Sequence, residues 1–142
     1  TGALTALSPA TIATGGYPWD ITISADGTSV YVMNWGDNTV SMYSRNPSTG
    51  ALTALSPATI ATVSYSKDVT ISADGTSVYV TGTSSSTVSM YSRNTSTGAL
   101  TALSPATIVP GNNPSGIAIS ADGTSVYVTN NNSNTIDNVI LN

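Results

Sequence analysis

A repeat of 48 residues, an Asp-Gly turn in every copy and the lack of helical periodicity together predict an all-β protein. The copies span residues 1–48, 49–96 and 97–142 and form a single array. A period of about 40–50 residues fits one four-stranded antiparallel blade of a β-propeller. Helix is disfavoured because no segment has apolar residues at the spacing of a helix face. The sequence therefore predicts a β-propeller with three blades per chain.

Four strands are predicted in each repeat, and the first copy illustrates them. Segments 20–24 and 29–33 have strand-like composition, and the turn at 25–28 between them contains Asp-Gly, which favours a hairpin. A third strand is predicted at 39–44 and a fourth around 51–55, where apolar residues occur at both parities, as in a sheet covered on both faces. The expected blade core consists of Ile21, Ile23, Val30, Val32, Val40 and their repeats.

Composition excludes several classes of function. Only 7% of the residues are charged and the net charge is -4, with three basic residues. A nucleic-acid partner is therefore not expected, because phosphate backbones are bound by clustered basic residues. A membrane span is not expected either, since no apolar run approaches about 20 residues. The chain has no Cys, His or Glu. A Ser-His-Asp triad, a His-based zinc site and a Cys nucleophile are excluded, and we expect no metal and no cofactor.

The repeats also resemble a known family. Residues 127–130 read Tyr-Val-Thr-Asn, residues 31–34 and 79–82 are near copies, and each is preceded by Ser-Ala-Asp-Gly-Thr-Ser-Val. These motifs resemble the YVTN repeats of bacterial surface propellers and of the lactonase-type propeller family. The resemblance implies the propeller fold, and its enzyme branch is seven-bladed and acts on sugar lactones. Because Glu and His are missing, no catalytic residue is transferred from it. The Ser- and Thr-rich surface favours an extracellular origin for the natural parent, and the localisation stays open.

Ring closure is expected to involve further blades, because propellers have roughly four to eight. Segment 1–12 has the sequence of a fourth strand without a preceding blade, and segment 135–142 that of a third strand without a fourth. We therefore expect segment 1–12 to complete the last blade of a neighbouring chain. A homodimer with six blades is favoured, a homotrimer with nine is the alternative, and truncation of a longer protein also accounts for the pattern.

The copies differ mainly in the loop that precedes the first strand and in the loop between the second and third strands. Strand order places both loops on one face, which favours a binding surface. Aromatic rings beside carboxylates suit sugar recognition. The expected ligand-binding residues are Tyr17, Trp19, Asp20, Trp35, Asp37, Tyr65, Lys67 and Asp68. The alternative is that the loops drift freely, that the tryptophans cap the blade core and that the aspartates accept backbone hydrogen bonds or hold a cation.

The function favoured by the sequence is a non-enzymatic, self-assembling scaffold with a variable binding face. One alternative is a carbohydrate-binding or adhesion propeller that recognises a glycan or surface polymer. Another is a lactonase-like hydrolase in which an Asp pair acts as acid and base. Because the repeats are nearly identical, either recent amplification of a fragment or deliberate design explains the chain.

Overall fold

The computed structural model describes residues 2–141, which form eleven strands in three antiparallel sheets. The outermost residues of the predicted segments 1–12 and 135–142, Thr1 and Asn142, lie outside the described residues. The first blade contains β1 (Pro18–Ile23), β2 (Ser29–Asn34), β3 (Thr39–Arg45) and β4 (Leu52–Ala61). The second contains β5 (Ser66–Ile71), β6 (Ser77–Gly82), β7 (Thr87–Arg93) and β8 (Leu100–Ile108). The third contains β9 (Pro114–Ile119), β10 (Ser125–Asn130) and β11 (Thr135–Ile140).

The strands follow chain order within each sheet, so the predicted all-β architecture of antiparallel blades is confirmed. The first strand of each blade is the innermost, and β5 lies between β1 and β9. Within residues 2–141 we find no helix that could cross a membrane.

The turn between the first two strands of each blade is built by one aspartate and one glycine. Gly27 has φ of 68°, a conformation that favours glycine. The Asp26 carboxylate accepts hydrogen bonds from the backbone N–H of Thr28 at 2.9 Å and from the Thr28 hydroxyl at 2.8 Å. These local bonds stabilise the turn that reverses the chain after β1, as the sequence predicts.

The core lies between blades rather than within one sheet. The cluster between the first two blades consists of Tyr31, Met33, Val40, Met42, Val69, Val78, Val80, Tyr91 and Leu100. Between the second and third blades the equivalent cluster consists of Tyr79, Val88, Ile117, Val126 and Val128. Each blade therefore depends on its neighbour for burial of its apolar face, as repeat architectures do.

Two expected core residues are exposed. Ile21 is 64% and Ile23 is 50% accessible, whereas Val69, the counterpart of Ile21 in the second blade, is only 3% accessible. The prediction that Ile21 and Ile23 are buried is therefore wrong for this structure. The physical reason is that β5 packs against the first blade, while no described residue covers the equivalent face of β1 as fully.

Residues 2–13 form no ladder, but they lie where the fourth strand of a preceding blade would lie. The Tyr43 hydroxyl donates a 2.6 Å hydrogen bond to the Ala13 carbonyl, and one repeat later Tyr91 donates in the same way to Ala61 at 2.7 Å. Leu7 packs beside Gly50. Leu4 is fully exposed. The segment therefore presents an unpaired edge and an apolar side chain to the surroundings.

Candidate functional site

The two variable loops of each blade are hydrogen-bonded to each other. The backbone N–H of Trp35 donates to the Tyr17 carbonyl at 2.9 Å, and Gly36 donates to Gly16 at 3.1 Å. At the other end of the blade, Arg45 donates to the carbonyl of Gly27 at 2.9 Å. The variable loops thus lie on one side of the molecule, which we call the loop face, and the Asp-Gly turns lie on the other.

Three aromatic rings form a cluster on the loop face, with Trp35 in the middle. The Trp35 ring lies 6.2 Å from Tyr17 at an interplanar angle of 87°, and 5.4 Å from Tyr65 at 73°. Such edge-to-face arrangements are favourable for aromatic pairs. Trp35 is 38% accessible and Trp19 is 68% accessible. Both tryptophans therefore present part of their ring surface to solvent.

The backbone holds this cluster in place. Tyr17 and Tyr65 both have φ in the left-handed region, at 51° and 54°. A Cβ at position 36 would lie 2.5 Å from the Tyr17 ring, so glycine is required there. Asp37 accepts a 2.6 Å hydrogen bond from the Gly16 N–H, which makes it a support for the loop. The ring positions are therefore organised before any ligand arrives.

A groove of about 290 Å³ runs between Tyr17, Trp19, Trp35 and Lys67. It combines three apolar ring surfaces with one ammonium group. Flat ring faces suit the apolar face of a sugar, and the ammonium suits a negatively polarised oxygen. The structure brings these predicted site residues together from the first and second blades.

Two carboxylates lie on the neighbouring inner strands β1 and β5. Asp20 accepts a 2.8 Å hydrogen bond from the Val69 N–H, and Asp68 accepts a 2.9 Å bond from the Ile117 N–H. Both bonds use the Oδ2 atom and cross from one blade to the next. Each carboxylate therefore links two blades with one oxygen.

The environment of Asp68 changes the acidity of its carboxyl group. Burial, followed by a hydrogen bond to the Asp20 carboxyl, raises the pKa of Asp68 to about 6. In the third repeat Gly116 takes the place of the aspartate, and a Cβ there would lie 3.8 Å from Asp68 Oδ2. The third blade therefore adds no carboxylate beside the pair. Within residues 2–141 no three acidic side chains converge as metal ligands would.

One cluster on the opposite side was not anticipated from the sequence. The Arg93 side chain is fully buried, and its Nη2 lies 3.0 Å from Asp26 Oδ2. Hydrogen bonds from Ser24, Thr28 and Arg93 hold the pKa of Asp26 well below its usual range, and the Ser24 bond has the largest effect. The repetition of Arg at positions 45 and 93 is the signal that could have revealed it.

The fold and the loop face define a class of protein: a β-propeller with an aromatic groove and a carboxylate pair beside its inner strands. The family model for "Lactonase, 7-bladed beta-propeller" matches residues 3–111, more than half of the chain. The chain therefore belongs to the lactonase family of seven-bladed β-propellers. No curated protein matches the chain.

Solved structures with a similar fold include several proteins whose names refer to lactones. A protein described as a 6-phosphogluconolactonase from Bacteroides fragilis superimposes with a TM-score of 0.84 and 22% identity, over 97% of this chain and 39% of that one. Its counterpart from Bacteroides uniformis gives 0.81 and 21%, over 92% and 38%. The periplasmic gluconolactonase of Pseudomonas aeruginosa gives 0.62 and 23%, over 87% and 40%. The chain spans about two fifths of the length of these proteins.

The family corrects the function predicted from the sequence. A non-enzymatic scaffold was favoured and a carbohydrate-binding or adhesion propeller was the first alternative, but the family and the lactonase neighbours point to a hydrolase. The prediction that the protein is not an enzyme is therefore wrong. The argument from composition failed because the lack of His, Cys and Glu excludes triads and thiol chemistry, but leaves acid–base chemistry by aspartate available.

Proposed function

We propose that this chain supplies part of the active site of a propeller hydrolase that opens sugar lactones. The observation that carries the proposal is the Asp20–Asp68 pair on neighbouring inner strands, in which burial and the Asp20 carboxyl raise the pKa of Asp68 to about 6. Trp19 and Asp20 are consecutive on β1, and Lys67 and Asp68 are consecutive on β5. The carboxylates therefore lie one residue along each strand from the groove lining. Family membership supports the choice of a cyclic ester as the substrate.

In this mechanism Asp68 is the general base. Its carboxylate takes a proton from water while the water oxygen attacks the lactone carbonyl carbon. A base with a pKa near the working pH is efficient because it is both ionised and basic enough to accept the proton. Lys67 lies at the groove, where its ammonium group can stabilise the negative charge on the carbonyl oxygen.

The same proton completes the reaction. When the tetrahedral intermediate collapses, the bond between the carbonyl carbon and the ring oxygen breaks. The ring oxygen takes the proton from Asp68 and becomes the hydroxyl group of an open-chain hydroxy acid. Asp68 returns to its ionised form, so no cofactor or external oxidant is consumed.

The direct test is to measure the hydrolysis of D-glucono-1,5-lactone and of simple γ-lactones. The rate is monitored by the acid that is released and is corrected for spontaneous ring opening. We expect Asp68→Asn to lower kcat at least about 100-fold, because the amide cannot accept the proton. The rate for the unsubstituted chain is expected to rise as the pH passes through about 6, where Asp68 ionises.

Asp122→Asn is the matched control, because Asp122 lies in the Asp-Gly turn of the third blade. It should leave the rate within about twofold. A rate no higher than the spontaneous background, or equal rates for the two variants, would refute the proposed function.

The aromatic cluster has its own prediction. We expect Trp35→Ala to raise KM for a sugar lactone about tenfold with kcat nearly unchanged, since losing the central ring removes about 1.4 kcal/mol of binding. Trp35→Phe keeps a ring at this position and should retain most of the affinity. Steady-state kinetics on both variants checks this, and an unchanged KM in Trp35→Ala would show that the substrate does not use the cluster.

A further inference from the structure

The buried Arg93 guanidinium shows which groups make an arginine site between two blades. Its Nη2 donates to the hydroxyls of Thr28 and Ser29, each at 2.9 Å, besides the Asp26 carboxylate. Its Nε donates to the Tyr31 hydroxyl at 3.0 Å, and its Nη1 donates to the Gly75 carbonyl at 3.0 Å. The guanidinium thus bonds to the turn of the first blade and to the turn of the second.

The next pair of blades repeats this cradle without the arginine. Leu141 occupies the position of Arg93, and its backbone N–H donates to the Thr124 carbonyl as that of Arg93 does to Thr76. A cavity of about 300 Å³ lies in front of Leu141. The counterparts of all the cradle residues line it: Ser72, Asp74, Thr76, Ser77, Tyr79 and Gly123.

Tyr79 indicates what this cavity accepts. The residue is only 6% accessible, and among the described residues its hydroxyl makes no hydrogen bond, although Tyr79 lines the cavity. The hydroxyl of its counterpart Tyr31 donates to Gly98 at 2.7 Å and accepts from Arg93. Among residues 2–141 the buried side-chain oxygens without a partner are those of Asn34 and Asn130, so the Tyr79 hydroxyl is open to the cavity and can accept a hydrogen bond from a ligand there.

Asp74 supplies the charge. It accepts hydrogen bonds from the Ser72 hydroxyl at 2.6 Å and from the Thr76 backbone N–H at 3.0 Å. These bonds lower the pKa of Asp74, so the group is ionised near neutral pH. The cavity therefore combines the Asp74 carboxylate with the Tyr79 hydroxyl and the Gly123 backbone, as the Arg93 cradle combines Asp26, Tyr31 and Gly75.

We propose that the cavity between the second and third blades is a binding site for a guanidinium group, carried by an alkylguanidine or by an arginine side chain from outside this chain. A guanidinium is planar and presents five N–H donors, which matches acceptors on two separate turns. An ammonium group directs its three donors from a single atom and reaches fewer of them. The site lies on the side opposite the loop face, so it does not depend on the proposed lactone hydrolysis.

Titration calorimetry with the 142-residue chain tests the proposal, using ethylguanidinium and N-acetyl-L-arginine methylamide as probes. We expect at least one of them to bind, while n-butylammonium and the corresponding citrulline derivative bind at least tenfold more weakly. Binding of both probes identifies a site for the guanidinium group alone. Binding of the arginine derivative alone identifies a site for an arginine residue of a polypeptide. Equal binding of n-butylammonium would overturn the proposal.

Two substitutions at one position provide the matched control. Leu141→Arg places a guanidinium in the cavity from the chain itself, so it should abolish binding of the probes. Leu141→Ala leaves the cradle accessible and should retain it. Asp74→Asn should weaken binding at least tenfold, and if that variant does not fold, the two Leu141 variants decide. Undiminished binding to Leu141→Arg would contradict the site.

Discussion

Replacing Arg93 with leucine is expected to lower the free energy of unfolding by about 3 kcal/mol, because several charge-assisted hydrogen bonds are lost at once. The side chain is fully buried and bonds to Asp26, to Tyr31 and to the Gly75 carbonyl. Leucine fills part of the volume but donates no hydrogen bond. The Tyr31 hydroxyl then loses one partner inside the core, and the Asp-Gly turns of the first two blades lose the guanidinium that joins them.

Arg45→Leu is the matched control, because Arg45 stands at the same position of the first repeat. Its side chain donates only to the Gly27 carbonyl among the described residues, and the residue is half-buried. We expect a loss of less than about 1 kcal/mol. Urea unfolding of both variants measures the difference, and equal losses would show that the bonds around Arg93 contribute nothing beyond those of Arg45.

A chain without residues 1–12 is expected not to form the closed oligomer that the sequence predicts. We propose that this segment of one copy pairs with β11 of another, as the sequence predicts for ring closure. β11 has β10 on one side, and no described strand pairs with its other edge. An unpaired edge can recruit a strand from another chain, and residues 1–12 have the sequence of a fourth strand.

The apolar contacts between blades support this pairing. A groove of about 460 Å³ between the second and third blades is lined by Val88, Ile117, Val126 and Val139 among others. In the preceding interface the equivalent space contains Leu100 and Tyr91, both buried. Leu4 holds the repeat position of Leu100 and is fully exposed. The groove therefore matches Leu4 in two respects: it lies where the repeat places this leucine, and its lining is apolar like the leucine side chain.

Light scattering checks this prediction, since the chain has a mass of 14.3 kDa. We expect the unsubstituted chain to form a dimer, or a trimer as the alternative, and the shortened chain to stay monomeric. Leu4→Asn should also weaken association, whereas Thr5→Asn should not, because its counterpart Thr101 is exposed. A folded monomer of the unsubstituted chain would contradict the proposal. Two copies supply six blades and three copies supply nine, and neither number is the family's seven. The mass of the oligomer therefore also shows whether these blades can pack into a ring of a different size.

The sequence was sufficient to predict the blades because the residues that determine strands and turns are close together in the chain. The Asp-Gly turns, the alternation in segment 20–24 and the composition of segment 29–33 predicted the first strands of a blade within a few residues, whereas the fourth strand extends to residue 61. Burial was less predictable, since Ile21 and Val69 hold the same repeat position and differ only in what packs over them.

The sequence predicted which face of the protein carries the candidate site, but not the chemical reaction that the site supports. The variation between copies identified Trp35 and Asp68, whereas the acidity of Asp68 depends on its distance from Asp20 and on burial. Neither quantity can be read from the spacing of two residues in separate repeats. The function was mispredicted for the same reason, because two ordinary aspartates become a candidate acid–base pair only when the fold brings them together.

Gly116 limits the negative charge that accumulates near the axis of the propeller when a blade is duplicated. Each copy that carries an aspartate at this position adds one negative charge near the axis of the propeller, next to the charge of the previous copy. Like charges at this position repel each other, and the Asp20 carboxyl adds to the effect of burial, which is the largest cause of the raised pKa of Asp68. The glycine in the third copy adds no carboxylate next to Asp68. A blade can thus be duplicated without a further increase in repulsion near the axis when the new copy lacks the carboxylate.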